Sequence, residues 1–132
     1  MSICKLYDKY ISKFELEEIP EGTTIIEING CTNLKKLPEN LPAGLTELKI
    51  FNCKLLKKLP KNLPASLTRI DIFLCEALNK LPKNLPAGLT RLDIFFCKAL
   101  AKLPENLPAS LTYFQISNCQ KLKELPKIFL LA

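Results

Sequence analysis

The chain has 132 residues, of which 48% are hydrophobic and 24% charged, which is typical of one globular domain rather than of a disordered chain. It lacks a run of about 18 apolar residues, so no membrane span is expected, and the charges among its first residues argue against a signal peptide. The net charge of +6 arises from interspersed basic and acidic residues, so charge alone does not predict a nucleic-acid partner.

Residues 1–18 are expected to form an N-terminal cap. Ser2 is a candidate helix start, because apolar residues follow it at spacings of three or four. The residues that would share one helix face are Ile3, Leu6 or Tyr7, Tyr10 and Phe14. The sequence therefore predicts a short helix that covers the first unit of the repeats that follow, since the end units of a repeat array need caps.

Five cysteines recur at a constant spacing of 22 residues. They are Cys31, Cys53, Cys75, Cys97 and Cys119. The segment from Leu45 to Ser66 recurs with few changes, and a looser copy begins at Thr23. The close copies begin at Leu67, Leu89 and Leu111. A period of this length predicts stacked units, each of which buries its apolar face against its neighbours.

Each repeat is expected to contain one short strand and one extended return. Leu48 and Ile50 alternate with polar residues, which is the period of a strand with one buried face. The expected strands lie near 24–29, 46–51, 68–73, 90–95 and 112–117. All ten prolines follow Leu or Ile, and a residue before proline is held in an extended conformation, so the return segments should not be helical.

The pattern LxxLxLxxCxxLxxLP resembles the leucine-rich-repeat family. Its apolar positions are filled by Leu48, Ile50, Cys53, Leu56 and Leu59 and by their equivalents in the other repeats. The resemblance covers residues 19–126 as five repeats. It implies a right-handed solenoid of the α/β class, with a short parallel sheet on the concave face and polyproline II-like segments on the convex side.

The return LPxNLPA followed by LTxL is similar to the bacterial leucine-rich repeats of effectors that pathogens inject into host cells. Those repeats have about 20 residues and carry Asn where this chain has Cys. For an effector the resemblance implies the host cytosol, whereas the free cysteines indicate a reducing, cytoplasmic location. Some effectors carry a further catalytic domain, whose activity is not carried over to this chain.

Residues 127–132 are apolar and follow the last repeat directly. Three interpretations stay open for them: an imperfect C-terminal cap, a tail that mediates weak self-association, and a truncated end.

The five repeated cysteines are expected to form a buried structural row of free thiols, which suits a reducing compartment. Zinc binding is disfavoured because closely paired ligands and histidine are absent from the sequence. A nucleophilic cysteine is disfavoured because no histidine is available to activate it. Cys4 is interpreted as a cap residue. We therefore expect no metal, no cofactor and no catalytic residue.

Alternation in the strands places three columns of side chains on the concave face. The column at the start of the strands is Ile25, Glu47, Arg69, Arg91 and Tyr113. The middle column is Glu27, Lys49, Asp71, Asp93 and Gln115, and the last is Asn29, Phe51, Phe73, Phe95 and Ser117. The three phenylalanines predict an aromatic stripe, which Leu74 and Phe96 extend at the strand exit, and stripes of this kind tend to mark interaction sites.

The predicted partner-binding residues are Phe51, Phe73, Phe95, Arg69, Arg91, Asp71, Asp93, Leu74, Phe96 and Tyr113. Two alternatives stay open for them: the rings form a stack that serves the fold, and each Arg–Asp pair is an intramolecular ion pair. The uniform threonine column, which includes Thr46 and Thr68, is expected to be a hydroxyl ladder. Lysines such as Lys57, Lys58, Lys61, Lys80 and Lys83 are interpreted as a solvated surface.

These observations favour a non-catalytic module that binds a protein partner on its concave face, since the sequence offers no phosphate loop or acid–base constellation. Two alternatives stay open. One is a structural or designed repeat scaffold, because Gly44, Ser66, Gly88 and Ser110 alternate across repeats. The other is a protein that binds nucleic acid or an anionic surface, which would require basic residues concentrated on one face.

Overall fold

The computed structural model describes residues 2–7, 10–14 and 16–123. Its strands form one parallel sheet in chain order. They are β1 (Ser2–Leu6), β2 (Thr23–Asn29), β3 (Glu47–Phe51), β4 (Arg69–Phe73), β5 (Arg91–Phe95) and β6 (Tyr113–Ser117). Among these described residues the only helix is a 3-10 helix at Leu16–Glu18. No helix in the same ranges is long and apolar enough to cross a membrane.

A 22-residue offset sets the register between neighbouring strands from β2 to β6. Leu48 pairs with Ile70, and Ile50 pairs with Ile72. Hydrogen-bonded strands lie about 4.8 Å apart, so side chains in equivalent positions of successive coils meet in rows. The chain is therefore a parallel β-solenoid whose turn is one sequence repeat, as the periodicity predicts.

The expected α/β class is wrong, because the described segments that connect β2 to β6 contain no helix. Two prolines in each return, such as Pro60 and Pro64, remove backbone donors and hold the preceding leucines in extended geometry. The molecule is a β-solenoid with extended returns.

The predicted helix that begins at Ser2 is also wrong, because Ser2–Leu6 forms a strand that pairs in parallel with β2. The backbone groups at the edge of β2 are satisfied by a strand but not by a helix that packs against it. Cys4 is buried, whereas Ile3 and Tyr7 are exposed, so the inward side of the segment has the period of a strand. Phe14, from the predicted helix face, is buried in the core.

The core lies between the sheet and the returns. Leu48, Ile50 and their equivalents in β4 and β5 are fully buried, and leucines of the returns such as Leu56 and Leu78 pack in the same cluster. Burial of such a side chain contributes about 1.5–3 kcal/mol, so the rows supply most of the stability of each coil.

The threonine column is a hydroxyl ladder at the strand entry, as predicted. Thr68 donates its hydroxyl to the carbonyl of Thr46 at 3.2 Å, and Thr90 donates to Thr68 at 3.0 Å. The backbone N–H groups of the same residues donate to the same carbonyls. The ladder therefore fixes the position of each strand start relative to the preceding coil.

The cysteine row is buried, as predicted. Cys31, Cys53, Cys75 and Cys97 are fully buried free thiols, and Cys119 in the last described coil is partly buried. Cys53, Cys75, Cys97 and Cys119 each donate a weak S–H hydrogen bond, of 3.6 Å, to the carbonyl two residues earlier. The thiols therefore bind the turn that follows each strand.

Burial changes the acidity of these thiols. It raises the pKa of Cys97 to about 11, and it also raises the pKa of Cys119 and of Cys4. The side-chain interaction between the neighbouring thiols of Cys53 and Cys75 lowers the pKa of the first and raises that of the second, so these two titrate as a pair. Cys97 is therefore protonated at neutral pH, and its burial shields it from reagents.

The raised pKa of Cys97 predicts a loss of stability in alkali. The folded-state pKa lies above the ordinary value of 9.0, so the contribution of the protonated thiol is complete below pH 9 and is lost as the pH rises through about 11. The free energy of unfolding of the parent should fall across this range by up to about 3 kcal/mol more than that of Cys97→Ala. Urea denaturation at several pH values measures both, and parallel pH profiles would contradict the prediction.

The expected C-terminal cap or tail at 127–132 lies outside the described residues, as do the last residues of the final repeat.

Candidate functional site

The candidate site lies on the solvent side of the sheet, here called the outer face, which consists of the alternating side chains of β2 to β6 that point away from the core. In β3 the burial pattern alternates between buried and partly exposed residues. The outer face carries the three predicted columns, and the register places equivalent residues side by side.

The three phenylalanines of the predicted stripe stack on one another. The ring centroids of Phe51 and Phe73 are 5.1 Å apart, and those of Phe73 and Phe95 are 4.8 Å apart with nearly perpendicular planes. Such pairs contribute about 0.5–1.5 kcal/mol beyond their buried area. All three rings are half-buried, so the stack stabilises the sheet and still leaves apolar surface at the end of the strands.

Two arginine–aspartate pairs form beside this stack. Arg69 Nε lies 3.0 Å from Asp71 Oδ2, and Arg91 Nε lies 2.8 Å from Asp93 Oδ2. Both aspartates are almost fully buried, with 3% and 2% of their surface exposed. The intramolecular alternative for these pairs is therefore confirmed, and in this conformation the carboxylates are not available to a partner. The arginines remain partly exposed.

The two carboxylates are neighbours in adjacent strands. Burial raises the pKa of Asp71, and the carboxylate of Asp93 adds to the effect, while Arg69 opposes it. One oxygen of Asp93, Oδ1, is buried without a hydrogen-bond partner among the described residues. The two buried carboxylates in the middle of the outer face therefore lower the stability of the fold, through desolvation and mutual repulsion.

The raised pKa of Asp71 predicts that acid favours the parent protein over Asp71→Asn. A carboxyl with a raised folded-state pKa contributes stability that is present at low pH and lost as the pH rises. The parent should therefore gain stability relative to Asp71→Asn as the pH falls from neutral towards the ordinary value of 3.8. Urea unfolding curves of the two proteins at matched pH values provide the measurement. A difference that stays constant, or that changes in the opposite direction, would refute the prediction.

Arg91 also contacts an aromatic ring of the last strand. Its guanidinium carbon lies 4.2 Å from the centre of the Tyr113 ring, and the Tyr113 hydroxyl donates to Gln115 Oε1 at 2.9 Å. Tyr113 is exposed, and Arg91 is partly exposed. Cation–π pairs at exposed sites contribute about 0.5–1 kcal/mol, so this pair orients both side chains at the outer face.

The residue after each strand adopts a left-handed backbone conformation. The residues of this column, here called the exit column, are Gly30, Asn52, Leu74, Phe96 and Asn118, with φ between 55° and 75°. Their N–H groups hold the conformation, since that of Leu74 donates to the Phe95 carbonyl at 2.9 Å and that of Phe96 to the Ser117 carbonyl at 3.0 Å. Gly and Asn tolerate this conformation, whereas a bulky apolar residue seldom adopts it.

Leu74 and Phe96 are therefore unusual members of the exit column. They are 45% and 50% exposed, so burial does not explain why Leu and Phe stand where Asn or Gly would suit the backbone. Both line a groove at the strand exit, here called the exit groove, together with Glu76, Lys98, Asn118 and Gln120. Lys98 and Glu76 pair across it at 3.4 Å.

Sequence reasoning placed Leu74 and Phe96 in the site but missed the exit column and the other groove residues. The signal was present, because Gly30, Asn52 and Asn118 occupy the same position of the repeat and are the residue types that favour positive φ.

Asparagine should suit the backbone of the exit column better than alanine. Leu74→Asn and Leu74→Ala both remove the leucine side chain, so their difference reports the backbone conformation. We expect Leu74→Asn to be more stable by about 1 kcal/mol in urea denaturation. In β3 the backbone is extended, so Lys49→Asn should have no such advantage over Lys49→Ala. Equal stability of the two Leu74 variants would contradict the strained conformation.

No group of three or more metal-ligating side chains in the described ranges is placed to hold a metal ion. The expectations that the chain has no metal, no cofactor and no catalytic residue stay predictions.

Comparisons with known proteins find no family model that matches the chain, and no curated protein or solved structure that matches it.

Proposed function

We propose that the chain is a non-catalytic module that binds a protein partner along the exit groove and the adjoining end of the outer face. The observation that carries the proposal is the exposure of Leu74 and Phe96 in a left-handed conformation. A residue held in a sparsely populated conformation persists where it serves a function, and large exposed apolar side chains are enriched in interaction sites.

The surroundings of the groove favour a protein as the ligand. The partly exposed rings of Phe73 and Phe95 directly precede Leu74 and Phe96 in sequence, so the apolar surface continues onto the outer face. Charged residues of both signs lie beside it, since Glu76 and Lys98 both line the groove. An apolar centre with a mixed polar rim is the usual composition of a protein interface. The expected partner surface has exposed apolar side chains surrounded by charges of both signs.

The repeat pattern supports a place for this module among leucine-rich-repeat proteins, of right-handed coil and with the sheet on the concave face. The LPxNLPA returns support a bacterial effector that acts in a host cell, although the 22-residue repeat and the cysteine row depart from that type. A row of buried free thiols is compatible with a reducing compartment such as the cytosol.

The stacked phenylalanines of the outer face are unsuitable positions for a substitution that tests the proposal. Phe73→Glu and Phe95→Glu would break aromatic pairs within the sheet, so a loss of binding would not be separable from a loss of structure. Leu74 and Phe96 are exposed at positions that favour Asn, so they can be replaced without disturbance of the core.

The double variant Leu74→Asn/Phe96→Asn should lose the partner while it keeps the fold. Immobilised parent and variant are exposed to host-cell lysate, and proteins that only the parent retains are identified by mass spectrometry. The partner found in this way is purified and titrated by calorimetry against both proteins. We expect at least about a 30-fold weaker affinity for the variant, since the loss of one central apolar contact typically weakens binding by this much.

Leu55→Asn is the matched control, because Leu55 is also an exposed leucine but does not line the exit groove. It should bind as the parent does. If the double variant retained every protein that the parent retains, the exit groove would not be the binding site. Light scattering of the parent tests self-association, and a dimer that the double variant abolishes would make a second copy of the chain the partner.

A further inference from the structure

Eight exposed lysines lie on the return segments, which are residues 34–45, 56–67, 78–89 and 100–111. They are Lys35, Lys36, Lys57, Lys58, Lys61, Lys80, Lys83 and Lys102, here called the lysine face. Half of them fill one column of the repeat, since Lys36, Lys58, Lys80 and Lys102 are 22 residues apart. The leucines between them point into the core, so the ammonium groups are directed away from it.

The return segments of neighbouring coils are stacked in register. The N–H of Asn79 donates to the carbonyl of Lys57 at 3.1 Å, and these residues are one repeat apart. Lys61 and Lys83, also one repeat apart, line a single groove with Asn62 and Asn84. Backbones of hydrogen-bonded neighbours lie about 5 Å apart, so the lysine columns bring like charges close together.

Within the described ranges no lysine of this face forms an ion pair with an acidic side chain. The ion pairs within the described ranges involve Arg69, Arg91 and Lys98, and none involves the lysine face. Acidic residues interrupt the face only at its ends, since Glu39 and Glu105 occupy the column of Lys61 and Lys83 in the outer coils. The centre of the face, in the two middle coils, is therefore a basic patch without acidic residues, which is what an anionic ligand would neutralise.

The side chains of the return segments favour a lipid surface over a nucleic acid. Residues 56–67 and 78–89, and their equivalents at 34–45 and 100–111, contain neither aromatic residues nor arginine. Proteins that hold single strands stack bases on aromatic rings, and those that read a duplex typically use arginine. Lysine is a compact point charge on a flexible stem, and a two-dimensional array of such charges fits a plane of anionic headgroups.

We propose that the lysine face adsorbs to the surface of an anionic lipid bilayer, through contacts of lysine ammonium groups with headgroup phosphates and carboxylates. The exit groove and the lysine face share no residue, so a protein in the groove and a bilayer on the lysine face would contact different side chains. The inference does not depend on the protein-binding proposal, and a failure of either leaves the other standing.

The test is co-sedimentation of the full chain with vesicles of phosphatidylcholine, with or without phosphatidylserine. The parent should sediment only with the anionic vesicles. Its binding should weaken steeply with added salt, because the Debye length falls from about 10 Å at 0.1 M to about 3 Å at 1 M. Lys58→Gln/Lys80→Gln should lower the partition coefficient about 30-fold, at about fivefold for each lysine.

Lys5→Gln/Lys49→Gln is the matched control, because it removes the same charge from the sheet side of the molecule, where Lys5 and Lys49 each pair in register with Glu27. It should bind vesicles within about twofold of the parent, and urea unfolding should show that both variants fold as the parent does. The proposal is overturned if the parent does not discriminate between the vesicles, or if the two variants lose binding equally. It is also overturned if a duplex oligonucleotide binds the parent more tightly than anionic vesicles do.

Discussion

Hydrogen bonding between residues that are one repeat apart is the constraint on which the rest of the structure depends. Every pairing from β2 to β6 joins residues 22 positions apart, and the threonine ladder adds side-chain bonds with the same offset. A single inserted residue would move the inward leucines to the outer face. The constant length of the coil is therefore a requirement of the core.

The same constraint turns every position of the repeat into a row. Rows of one residue type stabilise the fold where the side chain is apolar, as in the buried cysteines, or where it forms a hydrogen bond to the backbone of the neighbouring coil, as in the threonines. Rows that gather charges do not stabilise it in the same way. The carboxylates of Asp71 and Asp93 require their arginines, and the lysines of the returns have no acidic partners among the described residues. Such rows are the natural places to look for ligands.

Much of the solenoid was predictable because the same pattern of residues recurs in each of the five repeats. The spacing of the cysteines gives the coil length, the alternation of Leu48 and Ile50 gives the inward face, and the prolines give extended returns. Ser2–Leu6 occurs once, so its helical spacing had no second copy to test it, and pairing with the edge of β2 decided its conformation. The burial of Asp71 and Asp93 also escaped prediction, because the depth of a side chain depends on neighbours in three adjacent strands.

In the exit column the backbone conformation is constant while the side chain varies. Gly, Asn, Leu and Phe all occupy this position, and their N–H groups form the same backbone hydrogen bond to the next coil. The side chain at this position is not part of the core. A substitution between a turn-forming residue and an apolar residue at this position changes the surface of the molecule without a change of fold. The surface of such an array can therefore change one coil at a time, through single codon changes at a regular interval along its gene.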